Sequence, residues 1–153
     1  MNAILHNAGS GTAPGEAADD RWLDLDELAD ITIVVDGERV ARSPHEWTAD
    51  CPGEQMIEIR FRQSTSVSRL RVVSWEVGQS RTQEMTIWAC LRRGEGHREV
   101  LRQRFNFSPD GATAQVEECA LHLTDVSALQ LRIVPCIDGR RAVARVSELR
   151  VAA

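Results

Sequence analysis

The sequence lacks any segment that would carry the chain into or across a membrane. Its first 15 residues have no basic start, and their apolar run, Ala3-Ile4-Leu5, is shorter than a signal-peptide core. No stretch approaches the roughly 18 apolar residues that a membrane helix needs. We therefore expect a cytoplasmic protein without a membrane span.

An excess of basic residues is also lacking. The chain has 18 basic and 23 acidic residues and a net charge of −5. Binding to a phosphate backbone depends on a positive field. The charge therefore argues against a nucleic-acid partner.

Closely spaced cysteines are missing as well. The four cysteines stand at positions 51, 90, 119 and 136, and none has the spacing of a zinc-binding pair. Intervals of dozens of residues are also unlike those of a small disulfide-stapled protein. We expect four free thiols, mostly buried, and no zinc.

The motifs of common catalytic sites are absent too. No Gly-x-Ser-x-Gly nucleophile motif and no phosphate-binding glycine loop occurs, and the four histidines are scattered. Glu117 and Glu118 are adjacent in a predicted strand, so they point to opposite faces and cannot act together on one bond. We expect no enzymatic activity and no cofactor.

Alternation of apolar and polar residues is the pattern that is present. Ile57, Ile59 and Phe61 lie on one side of their segment, and Glu58 and Arg60 lie on the other, which is typical of a half-buried strand. Segments of this kind, separated by turn residues, recur along the chain and predict about eight strands. They lie at 31–35, 55–61, 69–77, 85–91, 100–107, 116–123, 129–134 and 142–151.

The order of these segments indicates the fold class. Helical periodicity is confined to a short stretch at 24–29, and turn residues separate the strands. This pattern favours an all-β protein, an antiparallel jelly-roll β-sandwich, over a parallel α/β sheet. We predict a flexible N-terminal tail over 1–21 and one sandwich domain over 22–153.

Part of the chain resembles a known family. Trp47, Pro52-Gly53 and the alternating strand 57–61 resemble the opening of discoidin and coagulation-factor type C domains, which belong to the galactose-binding-like superfamily. The resemblance continues through 67–72, 81–88 and 142–151, and it covers about residues 45–152. The segment 104–109 is similar to one in small bacterial carbohydrate-binding proteins of this superfamily. The resemblance as a whole implies an eight-stranded jelly roll whose loops at one end bind sugars, lipid head groups or proteins.

Two departures from that family bear on cofactors and location. Many members hold calcium in an Asp-rich loop, but the matching stretch here, 36–46, is short and contains Arg39 and Arg42. Calcium takes six to eight oxygen ligands, so we expect no metal there. The disulfide that ties the termini of secreted relatives is also missing, which agrees with a cytoplasmic location.

Topology groups the loops into two sets. Successive loops of an antiparallel sandwich alternate between its ends, so those near 42–54, 78–83, 106–112 and 135–141 should share one end. Loops near 63–68, 93–98 and 124–127 should share the other end with the C-terminus. The first set carries the polar and aromatic side chains His45, Trp47, Arg81, Gln83, Asn106, Asp110, Asp138, Arg140 and Arg141.

These residue types fit a sugar site, because planar polar groups bond vicinal hydroxyls and an aromatic face covers the apolar side of the ring. We expect Arg81, Asn106 and Arg140 as polar contacts, with Trp47 as floor or stacking face. Each of these residues also has a structural interpretation without a ligand. Trp47 can fill the core at the mouth of the sandwich, and Arg140-Arg141 can form a solvated turn. Asn106 can form hydrogen bonds to backbone groups of its own loop. The sequence predicts a non-catalytic carbohydrate-binding module; the alternative is a protein-interaction or assembly adaptor with the same fold.

Overall fold

The computed structural model describes residues 4–5, 22–35, 38–41, 46–92 and 96–153. These residues form ten strands and one short helix. The elements are β1 (Ile4–Leu5), α1 (Leu25–Leu28), β2 (Ala29–Val35), β3 (Glu38–Ala41), β4 (Trp47–Thr48), β5 (Gln55–Trp75), β6 (Arg81–Leu91), β7 (His97–Phe107), β8 (Ala114–Val134), β9 (Arg145–Val146) and β10 (Glu148–Ala152).

The N-terminal elements are short. β1 lies within the predicted tail, where Ile4 pairs with Ala120 of β8; residues 6–21 lie outside the described ranges. α1 is the predicted helical turn. It starts at Asp24, whose carboxylate accepts the Asp26 N–H at 3.1 Å, and it ends where Ala29 takes up extended backbone.

Two strands of 21 residues each, β5 and β8, lie at the centre of the fold. They pair antiparallel from Gln55 opposite Ile133 to Trp75 opposite Ala114. The first half of β5 and the second half of β8 lie in one layer, whose order is β3-β2-β5-β8-β6-β7. The other halves form a second layer, in which β10 flanks β5 and β1 flanks β8.

The predicted loops at 63–68 and 124–127 are wrong, because both segments are strand. The β5–β8 ladder shifts register between Arg60 and Arg69, and His122 and Asp125 adopt positive φ of 50° and 54° where β8 bends. Such bulges bend a strand without ending it. The Ser- and Thr-rich run of 63–68 has the composition of a loop, but Val67 anchors it in the interior.

Inward-facing residues of both layers form one core. Ile57, Leu131 and Ile87 of the first layer and Leu70 and Val72 of the second layer are all buried in one cluster, as their alternation predicts. Burying such a side chain contributes about 1.5–3 kcal/mol. The predicted antiparallel jelly-roll sandwich is therefore confirmed.

Strand register places the loops. Arg81 pairs with Phe107, and backbone bonds join Glu76 to Thr113 and Gly53 to Ala142. The loops that precede β5, join β5 to β6 and β7 to β8, and follow β8 therefore meet at one end, here called the loop end. Ala152 pairs with Arg69 beside the bends, so the C-terminus lies at the opposite end. This arrangement agrees with the alternation argued from the sequence.

Candidate functional site

A cavity of about 390 Å³ opens at the loop end, and we call it the loop-end pocket. It is lined by Pro52, Glu76, Gly78, Gln79, Arg141, Ala142, Val143 and Arg145. These residues come from three separate loops and from Arg145 at the start of β9. A set of side chains brought together from distant parts of the chain in a concave site is the usual form of a ligand site.

A second cavity of the same volume lies between residues 22–26 and 147–150, along the side of the sandwich. Its aromatic residue is Trp22, and the guanidinium of Arg150 lies 4.8 Å from the ring centroid. Arg69 lies 6.0 Å from the same ring. Because arginine side chains already cover the ring, we regard the loop-end pocket as the better candidate.

Glu76 forms the charged centre of the loop-end pocket. Its Oε1 accepts from Arg81 Nε at 2.9 Å and from Arg145 Nη1 at 3.2 Å, and its Oε2 accepts from the Gly78 N–H at 3.0 Å. Burial acts to raise the pKa of Glu76, but these hydrogen bonds and the two positive charges hold the pKa below its usual value. Glu76 is therefore an ionised, fully engaged carboxylate.

Arg145 is fixed on two sides. Besides its bond to Glu76, its guanidinium lies 5.0 Å from the Trp75 ring centroid. An arginine stacked on an indole loses side-chain freedom and keeps its remaining N–H groups available. About a quarter of its side chain is exposed, so it can present those donors to a ligand.

The adjacent arginines 140 and 141 have different environments. Arg140 bonds Asp138 at 2.9 Å and the Ser80 carbonyl at 3.1 Å. The side chain of Arg141 lines the pocket and is exposed, while its backbone carbonyl accepts from Gln79 Nε2 at 3.2 Å. Arg140 thus serves to hold its turn, whereas Arg141 is open to a ligand.

Arg81 lies beneath the pocket rather than at its surface. It is 2% exposed, and its guanidinium bonds Glu76, Gln83 and the Pro135 carbonyl and lies 4.5 Å from the Phe107 ring centroid. Strand β6 is covered on both faces, so a charged residue in it faces the interior. We therefore correct the expectation that Arg81 is an exposed polar contact: it positions Glu76.

Gln83 is also buried. Its amide donates to Ser74 Oγ at 3.1 Å and to Gln115 Oε1 at 2.9 Å, which joins the two layers below the pocket. Gln115 in turn donates to Glu117 at 2.8 Å. Burial raises the pKa of Glu117, and the bond from Gln115 only partly offsets this. Gln83 belongs to this interior network and does not reach the surface.

The remaining predicted residues have mixed placements. Trp47 is buried in the core, opposite Val146, so its ring offers no stacking face at the surface. Asn106 is exposed and accepts from the Thr82 hydroxyl across the β6–β7 ladder. Asp110 is exposed in the β7–β8 loop. His45 lies outside the described residues.

Asp138 shapes the loop after β8. Hydrogen bonds from the Cys136 thiol, from the Arg140 N–H and from the Arg140 side chain hold the pKa of Asp138 below its usual range. Gly139 follows with a φ of +83°, a conformation that favours glycine. Asp138 thus holds the turn that presents Arg141. Of the predicted site residues that the structure describes, Arg141 alone lines the pocket.

Sequence reasoning missed Glu76, Gln79 and Arg145. A usable signal existed for Glu76, because it follows a segment that is apolar on both sides around Val73 and Trp75. Glu76 is buried, and a buried carboxylate requires a cationic partner or hydrogen bonds. The partner Arg145 lies 69 positions away, and no spacing rule identifies it.

The described residues hold neither a cluster of metal ligands nor a membrane-spanning helix. They contain no group of three or more His, Cys, Asp or Glu side chains that could hold a metal ion. The loop expected to lack calcium lies mostly outside these residues, so that expectation stays a prediction. No helix in the described ranges is both long enough and apolar enough to cross a bilayer.

All four cysteines are free. Cys119 and Cys136 are buried, Cys90 is partly buried and Cys51 is exposed beside the pocket residue Pro52. Burial, with the charges of Glu117 and Glu118, raises the pKa of the Cys119 thiol to about 12.

No protein-family model matches this sequence, and no curated protein matches it. Solved structures do. The CBM32 module of AlyQ, in complex with 4,5-unsaturated mannuronic acid, matches 86% of this chain and 97% of its own, with a TM-score of 0.54 and 16% identity. An F5/8 type C domain from Bacteroides fragilis matches 88% of this chain and 96% of its own, with a TM-score of 0.54 and 12% identity.

A third match is the CBM32-1 and CBM32-2 structure of Clostridium perfringens ZmpB in complex with GalNAc. It matches 99% of this chain with a TM-score of 0.59 and 13% identity, and this chain spans 41% of its length. Identities this low define the fold alone. The fold is that of CBM32 and F5/8 type C domains, which agrees with the fold that the sequence resemblance implies.

Proposed function

We propose that the protein is a non-catalytic carbohydrate-binding module that binds its ligand in the loop-end pocket. The observation that carries this proposal is a cavity of about 390 Å³ that combines an exposed arginine, Arg141, with a fixed arginine, Arg145. Planar donors held in place are what a site needs to bond sugar hydroxyls without a large ordering cost. The AlyQ and ZmpB modules with bound sugars support the assignment at the level of the fold.

A glycan array followed by titration of the best hit tests this function. Arg141→Ala removes a charged donor from the pocket, and such a loss costs about 1.5–3 kcal/mol, or roughly ten- to a hundredfold in affinity. Gln79→Ala should weaken binding as well. Arg98→Ala is the matched control, because Arg98 is exposed near the opposite end, paired with Ala89. Equal losses in Arg141→Ala and Arg98→Ala, or an array without any hit, would contradict the proposal.

A protein-binding role is the second candidate, and two apolar side chains favour it. Val77 is 62% exposed in the β5–β6 loop, and Ile137 is 42% exposed in the loop after β8. Exposed apolar groups on loops beside a pocket can serve as anchors for a protein partner. The double variant Val77→Ser, Ile137→Ser should then abolish co-purification of a partner while leaving glycan binding unchanged.

A further inference from the structure

The loop-end pocket holds more positive than negative charge. Its lining contains one carboxylate, Glu76, and two guanidinium groups, Arg141 and Arg145. Arg81 lies behind the carboxylate, 2.9 Å from Glu76 Oε1. Three positive charges therefore surround one negative charge, and no other lining residue that the structure describes balances the excess.

The side chains of the pocket also offer few free acceptors. Both oxygens of Glu76 already accept hydrogen bonds, and its side chain is only 7% exposed. Among the described lining residues, Gln79 is the other side chain with an acceptor oxygen, since its amide nitrogen donates to the Arg141 carbonyl. Sugar hydroxyls both donate and accept, so a site for a neutral sugar needs more acceptors than this.

Free donors are plentiful by contrast. Within the described part of the chain, the Arg141 guanidinium has no hydrogen bond or ion pair. Arg145 uses Nη1 for Glu76 and keeps its other N–H groups. The guanidinium of arginine matches a carboxylate in shape, and the two form paired, charge-assisted hydrogen bonds.

We propose that the loop-end pocket selects sugars that carry a carboxylate, with Arg141 as the charged contact and Arg145 as the fixed second donor. This inference rests on the proposed function, since it names the class of sugar for the same pocket. A neutral sugar would leave both excess positive charges without a partner, whereas the carboxylate of a uronic acid would offset one of them.

The test compares each acidic sugar with its own uncharged form. Short oligomers of galacturonic, mannuronic, guluronic and glucuronic acid are titrated beside their carboxyl-reduced counterparts, which keep the ring and linkage. At least one acid should bind about tenfold or more tightly than its reduced form. That preference should shrink between about 0.05 M and 0.5 M salt, because salt screens exposed charges.

Two exposed arginines give matched variants. Arg141→Gln should weaken binding of the acid about ten- to a hundredfold and weaken binding of the reduced form much less, because glutamine keeps a planar donor and loses the charge. Arg98→Gln should change neither, because Arg98 is exposed near the opposite end of the sandwich. Equal affinity for acid and reduced forms, or equal losses for both in Arg141→Gln, would overturn the charge preference.

The outcomes also separate this inference from the proposed function. If neutral glycans bind and Arg141→Ala abolishes that binding, the carbohydrate-binding function holds and the preference for acids is wrong. If neither acidic nor neutral glycans bind, both are wrong. If acids bind but Arg141→Gln leaves their affinity intact, the acid is bound elsewhere and the assignment to this pocket is overturned.

Discussion

Replacing Arg81 by methionine should destabilise the fold strongly, although Arg81 lies below the pocket. Its side chain is fully buried and its partner Glu76 is 7% exposed. Removing one partner of a buried ion pair costs about 3–5 kcal/mol, and the bond from the partly exposed Arg145 to Glu76 compensates only part of the lost charge. Gln83 and the Pro135 carbonyl would lose their donor as well.

Urea unfolding followed by tryptophan fluorescence measures this loss. For a urea dependence of about 2 kcal/mol per molar, a loss of about 4 kcal/mol lowers the midpoint by about 2 M. The double variant Glu76→Gln, Arg81→Met should recover a large part of the loss, because neither charge is then buried alone. Arg140→Met is the control, since Arg140 and Asp138 form an exposed pair, and it should leave the midpoint unchanged.

Two results would refute the reasoning. One is an Arg81→Met midpoint close to that of the parent, which would mean that the Glu76 carboxylate is solvated in solution. The other is a double variant that is less stable than either single variant, which would mean that the two side chains contribute independently.

Three further predictions concern titration and thiol chemistry. The pKa of Glu76 is lowered below 4.5 in the folded state. The ionised carboxylate therefore contributes its full stability above about pH 4.5, and that contribution disappears as the pH falls through the folded pKa. The stability of Glu76→Gln should accordingly fall less steeply with acid than that of the parent. The pKa of Glu117 is raised by burial, so the folded state binds its proton more tightly and stability falls as the pH rises through the folded value. Glu117→Gln, which keeps the oxygen that Gln115 bonds, should therefore be more stable than the parent at about pH 8, and the two should converge at about pH 4. Cys51 is exposed and should react first with a thiol reagent, whereas Cys119 should react only on unfolding because its thiol pKa is about 12; equal rates in native protein would contradict this.

The fold could be predicted because its main signal is local. In β5 the alternation over residues 57–60 predicts one buried face, and Ile57 and Ile59 are buried as predicted. Glu58 is the exception, because it is buried on the other face and accepts a hydrogen bond from Gln130. The continuity of β5 and β8 could not be predicted in the same way. A bulged strand and a loop share the same polar, Ser-rich composition, and only the register with the partner strand distinguishes them.

The end of the sandwich where these loops meet could be predicted from the sequence, but the residues that line its pocket could not. Loop alternation located the end of the sandwich, and Arg141 does line the pocket there. Arg81 and Gln83 were assigned to the surface because charged and amide side chains usually lie there. Their burial depends on Glu76, Ser74 and Gln115, and those partners come together only in the folded chain.

Because β5 and β8 run through both layers, neither layer can open by itself. The strands that pair at Ile57 and Leu131 in one layer also pair at Arg69 and Ala120 in the other. Breaking the hydrogen bonds between them in one layer would therefore weaken those in the other. Backbone amides on both sides of the bends should therefore exchange with deuterium in a single cooperative event. A ligand held by the loops would slow that exchange at the far end of the sandwich as well, so occupancy can be read from amides that lie far from the loops.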